Sequence, residues 1–182
     1  AVAVSSDGSM ALSAGEDFSL KFWNVSDASL IGVFSAAGVA YRDACFFSDG
    51  KRVAVSCSDG RVLVVDTRDL NNFTELKKHD SDANCIDVSD DGRWIASGDK
   101  SGNVVVWDAN SLKPLKTYKA HSDAVCDVQF SSDGNFLISA SNDKTAAVWK
   151  TSGFGLQCRY EGHAWIVEAA AVSPDGKFVY TV

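Results

Sequence analysis

The chain has 182 residues, 46% of them apolar and 23% charged, with a formal net charge of −7. That is ordinary for a globular protein and long enough for a sizeable core. The acidic balance argues against nucleic acid, whose phosphates call for clustered Lys and Arg. No run approaches the roughly 18 apolar residues of a membrane span. The start, AVAVSSDG, lacks the basic-then-apolar pattern of a signal peptide and also lacks Met. Five cysteines, with no CxxC pair, point to reduced thiols in an intracellular protein, cytoplasmic or nuclear, and to no metal site.

Taken in order, the chain repeats itself. Asp-Gly pairs end at Gly8, Gly50, Gly92, Gly134 and Gly176, each 42 residues after the last. The residue four before each Gly is apolar every time: Val4, Phe46, Val88, Phe130 and Val172. Asp-Gly suits the positive φ of a tight hairpin. The first unit, about 1–35, has Ser13, Asp17 and Trp23, then a weak last strand, LIGVF at 30–34. The second, about 36–77, carries VLVVD at 62–66 and FTEL at 73–76. The third, about 78–119, begins with His79 and carries Ser97, VVVWD at 104–108 and LKTY at 115–118. The fourth, about 120–161, is the most complete. Its strands are predicted at about 124–130, 136–141, 146–150 and 156–160, with an apolar period near two. The fifth, 162–182, starts at His163 and stops inside its second strand.

A four-stranded unit of this size cannot bury both faces alone. Neighbouring units must stack, and radial stacking gives an all-β propeller of antiparallel blades. A free sheet edge invites aggregation, so the four blades and a half read as one segment of a larger ring.

GHAWIV at 162–167, FSSDG at 130–134, SASND at 139–143 and VVVWD at 104–108 resemble the WD-repeat β-propellers. The resemblance implies a ring of seven blades. It also implies a recurring hydrogen-bond set of His, Ser, Asp and Trp within a blade, complete here in His121, Ser139, Asp143 and Trp149. The first unit supplies Ser13, Asp17 and Trp23. The third supplies His79, Ser97 and Trp107, with Ser101 where the Asp is expected. The second keeps only Asp59, with Ala37, Val55 and Val65 at the other places, and is expected to rely on apolar packing. The fifth supplies His163 and then Thr181. His, Ser and Asp also compose a hydrolase triad. Their recurrence at one period, together with Trp, favours a structural role, so no catalytic residue, cofactor or small-molecule substrate is expected.

By the same resemblance, partners use the rim near the His-bearing loops. The corresponding residues are Glu16; Ala40, Arg42 and Ser58; Asp82, Asn84 and Lys100; Ala124, Cys126 and Asn142; and Ile166 and Glu168. Trp165, in the loop after His163, is the candidate anchor for a protein or peptide partner, because Trp is enriched at interface hot spots. The leading expectation is therefore a non-catalytic interaction scaffold within a larger assembly. Asp66-Thr67-Arg68 partly matches the Trp-Asp-x-Arg of cullin ubiquitin-ligase substrate receptors, with Val65 in place of Trp, which makes such a receptor an alternative. A propeller enzyme is the third reading. Lys77, Lys78, Lys113, Lys116 and Lys119 fall in or beside fourth strands, where Lys guards a sheet edge.

Overall fold

A computed structural model describes residues 1–35, 38–173 and 175–182. Among these residues the strands form four four-stranded sheets and one two-stranded sheet. The first sheet holds β1 (Val2–Val4), β2 (Met10–Ala14), β3 (Leu20–Asn24) and β4 (Leu30–Phe34). The second holds β5 (Tyr41–Phe46), β6 (Arg52–Cys57), β7 (Arg61–Asp66) and β8 (Phe73–Lys77). The third holds β9 (Ala83–Val88), β10 (Trp94–Asp99), β11 (Asn103–Asp108) and β12 (Pro114–Lys119). The fourth holds β13 (Val125–Phe130), β14 (Phe136–Ser141), β15 (Ala146–Lys150) and β16 (Gly155–Tyr160). β17 (Ala170–Val172) pairs with β18 (Val179–Thr181). Each sheet is an antiparallel meander in sequence order. No helix of the described residues is long and apolar enough to cross a membrane.

The turn chemistry repeats with the sequence. In the fourth blade the Ser131 hydroxyl donates to Asp133 and accepts from the Phe136 N–H, and Asp133 also accepts from the Asn135 N–H. Gly134 then closes the hairpin at a φ of 70°, a left-handed conformation that favours glycine. Ser89 with Asp91 and Ser173 with Asp175 make the same bonds.

The period-two pattern sends alternate side chains to opposite faces, and both faces are buried between blades. Val53, Val55, Leu63 and Val65 of the second blade pack against Leu12, Leu20 and Phe22 of the first. Ala54, Val62 and Val64, one residue out of step, pack against Ile86, Ile95, Val105 and Trp107 of the third. Val104 and Val106 then meet Val125, Leu137 and Trp149, and Ile138 and Val148 meet Val167 and Ala170. Each buried Val, Leu, Ile or Phe among them contributes about 1.5–3 kcal/mol of apolar burial, which makes these seams the main source of cohesion. The first strands of successive blades abut: β5 packs on β9, β9 on β13 and β13 on β17. The fourth strands form the outer edges, and Lys77, Lys116 and Lys119 lie on β8 and β12.

Candidate functional site

In the fourth blade His121 precedes β13, Ser139 lies on β14, Asp143 sits in the turn before β15 and Trp149 lies on β15. Their order is fixed by hydrogen bonds. His121 Nε2 lies 2.8 Å from Ser139 Oγ, and the Trp149 indole N–H donates to the same oxygen at 3.3 Å. His121 Nδ1 lies 3.1 Å from Asp143 Oδ2. A carboxylate only accepts, so the ring proton belongs on Nδ1 and the Ser139 hydroxyl donates to Nε2. Burial pushes the His121 imidazole below its ordinary value, against the pull of Asp143. Burial alone would raise Asp143, but bonds from Thr145 and the Ser122 N–H and the adjacent imidazole hold it low. Arg159 of β16 covers this group, bonding the Thr145 hydroxyl and the Ala120 carbonyl.

The third blade corrects one expectation. Ser101 does stand at the place of Asp143, yet the blade does not lack its carboxylate. Asp99, two residues after Ser97, supplies it. His79 Nδ1 lies 2.9 Å from Asp99 Oδ2, His79 Nε2 lies 2.7 Å from Ser97 Oγ, and the Trp107 indole N–H reaches Ser97 at 3.0 Å. A bulge between Gly98 and Asp99 opens the end of the pairing with β9 at this point. Burial would raise Asp99, but bonds from His79 and Asn103 outweigh it and hold the carboxyl below its ordinary range.

In the first blade the Trp23 indole N–H donates to Ser13 at 3.0 Å, while Asp17 binds Ser19 and Lys21. In the last, His163 Nε2 lies 2.7 Å from the Thr181 hydroxyl. In the second, Val55 and Val65 are fully buried and Asp59 pairs with Arg61. Ala37 lies outside the described residues. The bonds do run Ser–His–Asp, as in a hydrolase triad. However, Ser97 and Ser139 are fully buried and each accepts an indole N–H, which leaves their hydroxyls closed to a substrate.

A second set of carboxylates escaped the sequence reading. Asp43, Asp87 and Asp127 lie on the first strands β5, β9 and β13. Asp43 accepts the Ile86 N–H at 3.0 Å, Asp87 the Phe130 N–H at 2.7 Å, and Asp127 the Ala170 N–H at 3.0 Å. Each first strand is a sheet edge with unpaired N–H groups. In every case the carboxylate of one blade satisfies an edge N–H of the next. Burial raises all three carboxyls, Asp87 to about 7, with the neighbouring Asp127 and Asp43 adding to the effect on Asp87. The visible signal was the spacing of Asp43 and Asp127, which stand two periods apart.

The rim residues divide. Arg42 bridges Glu16 of the first blade and Asp82 of the third, and Lys100 also binds Asp82. Asn84 donates to the Val125 carbonyl, Ser58 accepts the Ala40 N–H, and the Cys126 thiol lies 3.0 Å from Asn142 Oδ1. Ala40 and Ala124 are buried. These residues mainly tie blades and loops together. Trp165 is 80% exposed, Ile166 43%, and Glu168 is exposed. Arg68 is exposed and folds back on Asp66 of its own turn at 3.5 Å, with Val65 buried behind it.

Stacked four-stranded meanders, held by repeated His–Ser–Trp bonds and edge-capping carboxylates, define the blades of a propeller-type repeat protein. The family described as WD domain, G-beta repeat matches residues 1–24, 71–108 and 112–150, more than half of the chain. The chain belongs to the WD-repeat family. A comparison with curated proteins returns no match. Members of this family generally act as protein-interaction scaffolds and are typically non-catalytic.

Proposed function

We propose that this chain is a non-catalytic scaffold that binds another protein or peptide at its rim, with Trp165 as the anchor. The observation that carries the reading is an exposed indole on a segment tied at both ends. His163 is held by Thr181, the Val167 N–H bonds the Ser141 carbonyl, and the Glu168 N–H bonds the Val182 carbonyl. Val167 itself is fully buried against the fourth blade. A large apolar side chain on a fixed loop offers contact area at small cost in conformational entropy. Ile166 widens the apolar patch and Glu168 adds a charge beside it. The net charge of −7 favours a protein partner over nucleic acid. The free cysteines suit an intracellular setting. In this reading the blades are one part of a seven-bladed ring in a larger assembly.

The test is quantitative cross-linked affinity purification of the parent beside Trp165→Ala, with a thermal melt of each. A discrete partner lost from the variant at an unchanged melting temperature supports the reading. The same partners recovered in equal yield with both chains would overturn it.

A further inference from the structure

A cavity of about 430 Å³ opens beside the His loop of the fourth blade. It is lined by Lys119 at the end of β12, His121 and Ser122 of the loop before β13, Asp143 and Thr145 of the turn before β15, and Arg159 of β16. Its charges are not matched. Lys119 bonds the Ser101 carbonyl, and Arg159 bonds the Ala120 carbonyl and the Thr145 hydroxyl, all neutral acceptors. Neither cation is ion-paired with a carboxylate among the described residues. Burial lowers the His121 imidazole, so it adds no charge at neutral pH. Asp143 is the one acid of the lining. Its oxygens are already taken by the His121 ring N–H, the Thr145 hydroxyl and the N–H groups of Ser122 and Thr145. The lining is left with one positive charge in excess, on a chain whose total is −7.

Donors are also left over. A guanidinium has five N–H groups and here serves two acceptors, and an ammonium has three and serves one. The Ser122 hydroxyl, which is exposed, donates to no protein group among the described residues. The same places in the third blade lack these features. Thr117 stands for Arg159 and Asp80 for Ser122, while Lys77, which stands for Lys119, is paired with Glu75. The cationic cavity is therefore a property of the fourth blade and not of the repeat.

From this arrangement we infer that the cavity is a phosphate-binding site, with Lys119 and Arg159 flanking the anion and the Ser122 hydroxyl donating to it. A phosphate carries nearly two charges and offers three or more acceptor oxygens, enough to engage two cations and a hydroxyl together. A carboxylate offers one charge and two oxygens. Arginine in particular presents paired N–H groups that match phosphate oxygens. The acidity of the whole chain does not forbid this, because charges more than about 8 Å away are largely screened at physiological salt. The phosphate is carried on a modified side chain of a peptide or is the free ion, and the chemistry of recognition is the same for both. The site does not depend on the anchor at Trp165.

NMR titration of the isotope-labelled chain tests this, with N-acetyl-phosphoserine amide and inorganic phosphate as separate probes. The His121 ring and the Ser122 amide should shift and saturate with a Kd of about 1–10 mM for at least one probe. Lys119→Ala and Arg159→Gln should each weaken that binding by about tenfold or more, the loss of one charge-assisted bond. Lys119 is exposed, so Lys119→Ala should melt with the parent, which separates lost binding from lost fold. Lys77→Ala, at the same place of the third blade, should leave binding unchanged. Tighter binding of the phosphoserine probe identifies a modified side chain as the source; otherwise the source is the free ion. No saturable shift with either probe overturns the inference. So does a shift that survives Lys119→Ala undiminished, or one that Lys77→Ala weakens as much.

Discussion

Asp87 and the backbone of Phe130 meet across the seam between the third and fourth blades, the carboxylate accepting the N–H at 2.7 Å. The bond removes an unpaired donor from a sheet edge. It also holds a carboxyl among apolar neighbours and beside two others, Asp43 and Asp127.

That placement makes stability depend on pH. Asp87 titrates at 3.8 when free and at about 7 in the fold, so between these values the folded chain keeps a proton that the unfolded chain has lost. Its contribution is complete below the free value and is lost as pH rises through the folded one. Asp87→Asn keeps an acceptor for Phe130 and cannot ionise. Its melting temperature relative to the parent should therefore be higher at about pH 8 than at about pH 5. The gain should be roughly 2–4 °C for each kcal/mol of relief. A difference that is constant across that range would show that Asp87 titrates normally.

Asp99, rather than Ser101, completes the bond set of the third blade. Asp99→Ala strips His79 Nδ1, the Asn103 side chain and the Ser101 N–H of their acceptor. It should cost about 2–4 kcal/mol in urea unfolding. Ser101→Ala should change stability by less than about 0.5 kcal/mol. Equal losses from the two substitutions would return the role to position 101.

Gly102 makes a third case. Its φ is 82°, and an added Cβ would press on the carbonyls of His121 and Asp123 in the next blade. Gly153 has a φ of 102° and nothing within 4 Å. Both alanine variants carry backbone strain, of order 1 kcal/mol. Gly102→Ala adds a clash with backbone and should lose about 3 kcal/mol or more. Similar melting curves for the two variants would mean that the loop before β13 can yield.

The repeat was legible because it is written in residues with narrow uses. Asp-Gly at a fixed spacing fixes hairpins, and VVVWD or VLVVD allows only a strand buried on both faces. The bonding of His121, Ser139, Asp143 and Trp149 was implied by the resemblance to WD-repeat propellers, and the hydrogen bonds follow it. Asp99 could not be read so, because the fourth blade carries Ser141 at that place, and only the fold shows that a carboxylate there reaches the same ring nitrogen as Asp143 does. Asp87 was hidden differently. Its partner is a backbone N–H in another blade, and a backbone donor leaves no trace in sequence. Arg42 and Asp82 looked like free rim charges until the fold set Arg42 between Glu16 and Asp82 of the two neighbouring blades, with Lys100 on the other side of Asp82.

The carboxylate-to-backbone bonds impose an uneven demand on the units they join. In each pair the upstream blade must supply a particular side chain, Asp43, Asp87 or Asp127, whereas the downstream blade supplies only main chain. A unit can therefore drift in sequence on its receiving side without loosening the joint, but not on its giving side. At and just before β1 the corresponding places are Ala1 and Ala3, neither of which carries a carboxylate. The joint of the first blade to the second rests on the apolar seam, the Glu16–Arg42 pair and the bond from Ser6 to the Ser48 carbonyl. That joint therefore draws its cohesion chiefly from apolar packing, where the other three add a carboxylate-to-backbone bond.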